Sequence, residues 1–238
     1  MTSALPSFPA GGIAVVLGAT GGIGAAVCQA LVEDGRFATV VGLGRSSRPP
    51  FDMTDEVSIA GAAREVAGLA GELRLVFDAT GLLQGDGVEP EKTWKQLDPD
   101  KLAKSFAVNA IGPALVMKHF LPLLARHGKS VFATLSARVG SLGDNRLGGW
   151  YGYRASKAAL NQFVRTAAVE LARQRPDAVC LALHPGTVDT GLSAPHRKQG
   201  LDVRTPDAAA ARLIGVLDAV GPDQTGGFLD YNGETIPW

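Results

Sequence analysis

Cysteine is scarce in this 238-residue chain, and its two cysteines, Cys28 and Cys180, cannot build a disulfide framework. A reducing, cytoplasmic setting is the expectation. No charge of one sign is in excess, since 23 Lys and Arg balance 23 Asp and Glu. Neither nucleic acid nor an anionic membrane is therefore expected as a partner, because both reward a basic face. No uninterrupted apolar run reaches the roughly 18–20 residues that span a bilayer. The stretch Met1–Ala10 lacks the basic start and long apolar core of a secretory signal, and is expected to be flexible. Histidine is rare too, and His119, His127, His184 and His196 show no spacing with cysteines or carboxylates that would hold a metal. Glycine is abundant: 30 residues, well above an average of about 7%. These glycines follow no period, which excludes collagen, and 46% hydrophobic residues exclude disorder.

The apolar residues come in short runs. Gly12–Leu17, Ala38–Leu43, Leu73–Ala79, Ser130–Ser136, Val179–Leu183 and Gly227–Tyr231 each read as a strand buried on both faces. Helical spacing separates them. Ile23, Ala26, Val27, Ala30 and Leu31 mark one helix that Gly35 stops. Asp98-Pro99 opens another, with Asp as cap and Pro at the first helical position, running to about Arg126 with a kink at Gly112-Pro113. Further helices are expected over Gly152–Arg175 and Asp207–Val220. Strand and helix alternate along the whole length without a linker or repeat. This predicts a single α/β domain over residues 1–238, a Rossmann-type, doubly wound parallel sheet.

The first strand runs into Gly18-Ala19-Thr20-Gly21-Gly22-Ile23-Gly24 and then into a helix. Glycines let the chain turn sharply, and a helix N-terminus offers unpaired N–H groups to a phosphate. A tight strand-to-helix connection would also use glycine, but the strand before and amphipathic helix after it favour dinucleotide binding. After the second strand, Gly44-Arg45-Ser46-Ser47-Arg48 contains no carboxylate to hold a ribose hydroxyl pair. Arg45 and Ser46 suit a 2′-phosphate instead, so NADP is favoured over NAD.

Tyr153 and Lys157 lie four residues apart on one helical face. A nearby cation stabilises a phenolate, which makes a tyrosine usable as a general acid or base. With this pair the chain resembles the short-chain dehydrogenase/reductase superfamily, from Ile13 to its C-terminus. The resemblance rests on the glycine turn, on Asp52-Met53, on Asp78-Ala79-Thr80-Gly81, on Asn109, on the Tyr153/Lys157 pair and on Pro185-Gly186-Thr187-Val188-Asp189-Thr190. It implies a nicotinamide cofactor held by Gly18, Thr20, Gly22, Ile23, Gly24, Arg45, Ser46, Asp52, Met53, Ala79, Thr80, Gly81, Asn109, Tyr153, Lys157, Pro185, Gly186, Val188 and Thr190. It further implies that Tyr153 exchanges a proton with a small carbonyl or alcohol substrate, that Lys157 lowers the phenol pKa, and that Asn109 helps to position a water. Residues 189–204 would cover the substrate, and two or four copies would pair through the long helices.

The family's catalytic serine falls on Ala137 in Ser136-Ala137-Arg138-Val139-Gly140-Ser141. Ser136 is taken as its replacement, with Ser141 as the other hydroxyl. The helix usual after the second strand is shortened to the loop Ser46–Pro50, leaving a short third strand near Phe51. These departures, with Gly148-Gly149-Trp150 and the ending Tyr231–Trp238, resemble the C-factor-like branch. That branch takes its name from a bacterial signalling protein, so a nucleotide-binding sensor with little turnover stands as the rival reading. Trp150 reads equally as substrate wall or packing residue. His184 reads as packing or as the cofactor edge, and both cysteines read as inert core.

Overall fold

The apolar runs form strands because, in a parallel sheet covered on both faces, every side chain of a strand needs an apolar neighbour. The computed structural model describes residues 3–48, 50–191 and 203–238. Strands β1 (Ile13–Leu17), β3 (Leu73–Asp78) and β4 (Ser130–Leu135) are buried at every position. They combine with β2 (Thr39–Leu43), β5 (Ala178–His184) and β8 (Phe228–Asp230) into one sheet of order β2-β1-β3-β4-β5-β8, every pairing parallel. Two short strands, β6 (Thr187–Val188) and β7 (Val203–Arg204), pair separately.

Side chains alternate between two cores. Ile13, Val15 and Leu17 of β1 face α2 (Glu56–Ala67), α4 (Gly112–Phe120) and α5 (Tyr151–Gln174). Ala14 and Val16 face α1 (Gly22–Asp34) and α6 (Pro206–Ala219). Cys180 of β5 lies in the first core, where burial pushes its thiol up to about 12, while Cys28 is half-buried on α1.

The helix opening at Asp98-Pro99 forms as α3 (Pro99–Phe106), its cap side chain accepting from the Asp100 and Lys101 amides. A π-helical turn over Ala107–Ile111 then leads into α4, with the Gly112 N–H bonded to the Ala107 carbonyl. The helix ends earlier than expected, at Phe120. Pro122 has no N–H to continue it, and a single 3₁₀ turn follows over Leu121–Leu123. By length and composition the run Pro99–Leu123 could cross a membrane, but its Val116, Met117 and Phe120 are core residues packed under α2 and α5.

Two further expectations are corrected. No strand forms near Phe51. The chain turns back at once, the Phe51 N–H donating to the Gly44 carbonyl (3.0 Å), so nothing runs extended beside β2, which becomes the sheet edge. Helix α2, capped by the Asp55 side chain, makes the crossing to β3. Residues 3–10 are docked rather than flexible. Leu5 and Phe8 are fully buried, Phe8 meets Phe37 edge-on at 5.4 Å, and the Arg36 guanidinium bonds the Phe8 carbonyl. The far edge, β8, is covered by the chain's own tail through the Ile236 N–H to the Phe228 carbonyl and Trp238 stacked on Phe228.

Gly112 marks a close approach of α4 to the turn that precedes α2. A Cβ there would stand 2.4 Å from Met53 Cγ and 2.5 Å from its carbonyl oxygen. Gly112→Ala is expected to destabilise the protein by about 1–3 kcal/mol through overpacking. Urea titration checks this, and an unchanged midpoint would contradict the close contact.

Candidate active site

The strand order reverses at β1, which has β2 on one side and β3 on the other, and a crevice opens beyond the carboxyl ends of these strands. The glycine turn stands at its mouth. Gly18 has φ +76° and lies so close to Ala79 that a Cβ would sit 3.1 Å from its carbonyl carbon. At Gly24 a Cβ would fall 2.2 Å from the Gly18 oxygen, so only glycine lets α1 start this close to β1. Gly22 abuts the Thr190 methyl group, which brings the segment after β5 against the start of α1.

Helix α1 begins at Gly21 with no side-chain cap and no acidic residue in its first turn. By contrast α2, α3 and α6 are capped by Asp55, Asp98 and Thr205. The first amides of α1 therefore retain their capacity for an anion. These uncapped amides suit the phosphates of a dinucleotide, and glycine at 18, 22 and 24 lets the turn that presents them pack this closely.

The Tyr153/Lys157 pair lies on α5. Helix α5 carries Tyr153, half-buried, and Lys157, 3% exposed, with Lys157 Nζ 5.9 Å from the centre of the phenol ring. Lys157 donates to the Leu135 carbonyl at 2.8 Å. Burial pulls its pKa down to about 8, against the opposing negative charge of Asp78. Burial also pushes the Tyr153 phenol up to about 12, so it holds its proton at neutral pH. A Cβ at Gly81 would stand in van der Waals contact with Asn109 Oδ1 at 3.6 Å and Lys157 Nζ at 3.7 Å, so this glycine lies directly against the lysine and the asparagine.

Asn109 lies in the π turn and is fully buried. Its amide clamps Leu82 from both sides, donating to the carbonyl (2.7 Å) and accepting from the N–H (2.8 Å). Its Nδ2 also reaches the hydroxyls of Ser105 and Ser156, at 3.3 and 3.2 Å, and Ser156 donates to the Tyr153 carbonyl. The side chain is thus a tie between α5, the π turn and the segment after β3.

Ser136 does not take the place of the missing serine. It is buried, and its hydroxyl donates to Asn161 Oδ1 at 2.7 Å. Ser141 accepts from the Asp144 N–H at 3.1 Å in the following loop. Met53 is also corrected: its side chain packs under Gly112 in the core. Asp52 is exposed and its carboxylate accepts from the Thr54 N–H and hydroxyl, which with the Arg45 charge holds it below the usual range.

Arg45, Gly81 and Gly191 line one cleft of about 860 Å³. Ser46 is exposed beside Arg45. Gly186, at φ +79°, lies against Arg204 and Tyr231, and Val188 is buried. His184 closes β5 beside Asp230, and burial together with the Arg138 and Arg204 charges keeps its imidazole neutral, down to about 4. Most of the substrate-covering segment, including Ala194, Pro195, His196, Arg197 and Lys198, lies outside the described residues, as does Pro49. Among the described residues no cluster of three metal-ligating side chains occurs.

Two carboxylates at the site had no role assigned from the sequence: Asp78, which entered only as the first residue of the Asp78-Ala79-Thr80-Gly81 motif, and Glu91. Asp78 is fully buried at the end of β3 and accepts from Thr134 and from the Thr80 hydroxyl and N–H. Burial raises its pKa while Lys157 opposes the shift. An acid ending an otherwise apolar strand was the available signal. Glu91, 7% exposed, accepts from the Gly152 N–H at the start of α5, and no sequence pattern marks it.

The model of the short chain dehydrogenase family matches residues 12–200. The chain belongs to that family. Among curated relatives, C-signal of Myxococcus xanthus is 38% identical over 144 residues, 60% of this chain and 81% of that protein. The 1-hydroxy-2-glutathionyl-2-methyl-3-butene dehydrogenase of Rhodococcus sp. (strain AD45) is 32% identical over 212 residues, 89% of this chain and 88% of the relative. An NADPH-bound carbonyl reductase from chicken fatty liver shares the fold with a TM-score of 0.84 at 24% identity, covering 96% of this chain and 95% of the other. A short-chain dehydrogenase/reductase from Burkholderia multivorans with bound NADP aligns at 0.79 and 26% identity, covering 95% and 99%. The protein is thus an oxidoreductase of the short-chain dehydrogenase family, built on a parallel sheet of six strands.

The buried ammonium has a measurable consequence. A lysine titrating near 8 when folded and at its ordinary 10.5 when unfolded binds fewer protons in the folded state between those values. Stability should therefore rise with pH across that window. Between about pH 8 and 10, below the range where the Tyr153 phenol contributes, the wild type is expected to gain melting temperature relative to Lys157→Met. A pH-independent difference would argue against a buried charge at this position.

Proposed function

We propose that the protein reduces a small or medium carbonyl compound to an alcohol with NADPH, Tyr153 giving the proton. The observation that carries this reading is the protonated Tyr153 phenol beside the buried Lys157 ammonium, with Gly81 in contact range of that ammonium. The nicotinamide would supply the hydride. Gly18, Gly22, Ile23, Gly24, Ala79, Thr80 and Thr190 would hold the dinucleotide along the crevice, with Thr20 at the turn beside Gly44. Lys157, cationic and close to the ring, stabilises the phenolate left when the proton has gone. Asn109 keeps the floor of the site in place through Leu82. Because Ala137 stands where the family's serine would be, the developing negative charge on the substrate oxygen is met by Tyr153 without a serine hydroxyl.

NADPH is favoured over NADH by Arg45 at the cleft and by the lack of a carboxylate directly after β2. The NADPH-bound and NADP-bound relatives in this fold agree with that preference. Thermal unfolding with each nucleotide tests it: NADPH is expected to give the larger rise in melting temperature, and Arg45→Ala to remove the difference. Equal shifts in the wild type would overturn the preference.

Activity against a panel of ketones and aldehydes tests the reaction. Tyr153→Phe is expected to lower kcat by about a hundredfold or more, the scale of a lost general acid. An unchanged rate would rule out Tyr153 as donor. A signalling or sensing role is favoured by Ala137, by the engagement of Ser136 with Asn161 and by the relative named C-signal. A wild type that binds NADPH and turns over none of the panel would support it. The half-exposed Phe163 and Val169 on α5 support pairing of two copies through that helix.

A further inference from the structure

The segment entering α5 contains three consecutive residues in the left-handed region: Gly148 at φ +63°, Gly149 at +65° and Trp150 at +55°. The first two carry no penalty, having no Cβ. The third carries one of the bulkiest side chains in a conformation that bulky residues rarely adopt. A glycine would fit there without strain, so the indole must be held for something it contacts. It meets the Tyr153 ring edge-on, with centres 6.3 Å apart and planes at 72°.

The backbone of this residue is fixed from both sides. The Trp150 N–H donates to the Glu91 carbonyl, and its own carbonyl accepts from the Arg154 N–H (2.8 Å) as α5 begins. The Glu91 carboxylate accepts from the Gly152 N–H at 3.1 Å, so one buried residue seats both the strained tryptophan and the first turn of the Tyr153 helix. Glu91 is a positioning residue in this arrangement.

We propose that Trp150 is a specificity-determining residue: its indole forms the wall beside the Tyr153 hydroxyl and selects carbonyl compounds bearing a flat, apolar, aromatic substituent. This rests on the carbonyl-reduction reading. The Trp150 and Tyr153 ring centres lie 6.3 Å apart, so a substrate oxygen bonded to Tyr153 would set the groups on its carbonyl carbon near the indole. An aryl group stacks on or edges against indole, whereas a short alkyl group gains little.

The experiment compares acetophenone with 2-butanone, using NADPH and the wild type, Trp150→Gly and Trp150→Phe. Trp150→Gly removes the wall and the strain together, so its melting temperature should not fall as it would for a deleted core tryptophan. Its kcat/KM ratio, acetophenone over 2-butanone, is expected to drop about tenfold, mainly through KM for the aryl ketone. Trp150→Phe, which keeps a ring, should retain most of the preference. A ratio unchanged in Trp150→Gly overturns the proposal, as does a wild type that prefers 2-butanone. If the wild type reduces neither ketone, it is the reduction reading that fails. Calorimetric affinity of acetophenone for the NADPH-loaded protein then decides on the wall. A tenfold weaker affinity in Trp150→Gly supports the wall, and equal affinity or no binding overturns it.

Discussion

A lysine ammonium taken out of water is the constraint around which the carboxyl end of the sheet is arranged. Lys157 is buried, and an isolated buried charge is costly unless polar groups and an opposite charge surround it. The Leu135 carbonyl at the end of β4 supplies the first and Asp78 at the end of β3 the second. Asp78 is itself buried and needs donors, which Thr80 and Thr134 provide. One charge on α5 thereby fixes the chemistry of two strand ends and the first residues beyond them. The same burial keeps the neighbouring phenol protonated, the form a proton donor to a carbonyl requires.

A second layer of ties holds the helices to this centre. Asn109 joins the segment after β3 to Ser105 of α3 and Ser156 of α5, and Glu91 joins the following loop to the first turn of α5. The contacts are made by side chains distant in sequence. Movement of the loop that begins at Gly81 would therefore disturb Tyr153 through its own backbone, since Ser156 bonds the Tyr153 carbonyl.

Much of this was legible in the order of residues. Apolar runs placed the strands, because burial on both faces leaves few polar positions to blur them. Asp98-Pro99 and Gly35 marked helix ends through local backbone chemistry. The glycine turn and the Tyr153/Lys157 spacing named residues that the fold brings to the carboxyl end of the sheet, where Lys157 meets the end of β4 and Gly18 lies against Ala79. What could not be read was set by tertiary contact. Phe51 looked like a strand remnant, but a hydrogen bond to Gly44 turns the chain away from β2. Ser136 was the nearest hydroxyl in sequence, yet its direction depends on Asn161, 25 residues further on. Met53 belonged to a binding motif and was buried by a glycine 59 positions away. Leu5 and Phe8 are apolar residues in a short terminal stretch, and only their fit against Phe37 shows that they belong to the core.

The π-helical turn between α3 and α4 also bears on how this chain can change its length. Such a turn accommodates one residue more than an α-helix would over the same rise. Deleting a residue within 107–111 would let the two flanking segments join as one regular α-helix, a gain in backbone hydrogen bonding. The flanking segments would keep their rotation, because the bulge is what absorbs the extra residue. The buried face of Val116, Met117 and Phe120 could then be kept, while the Asn109 side chain would be carried away from Leu82. The extra residue therefore serves the Asn109 tie rather than the helix packing, and a deletion within this turn should cost that tie before it costs the fold.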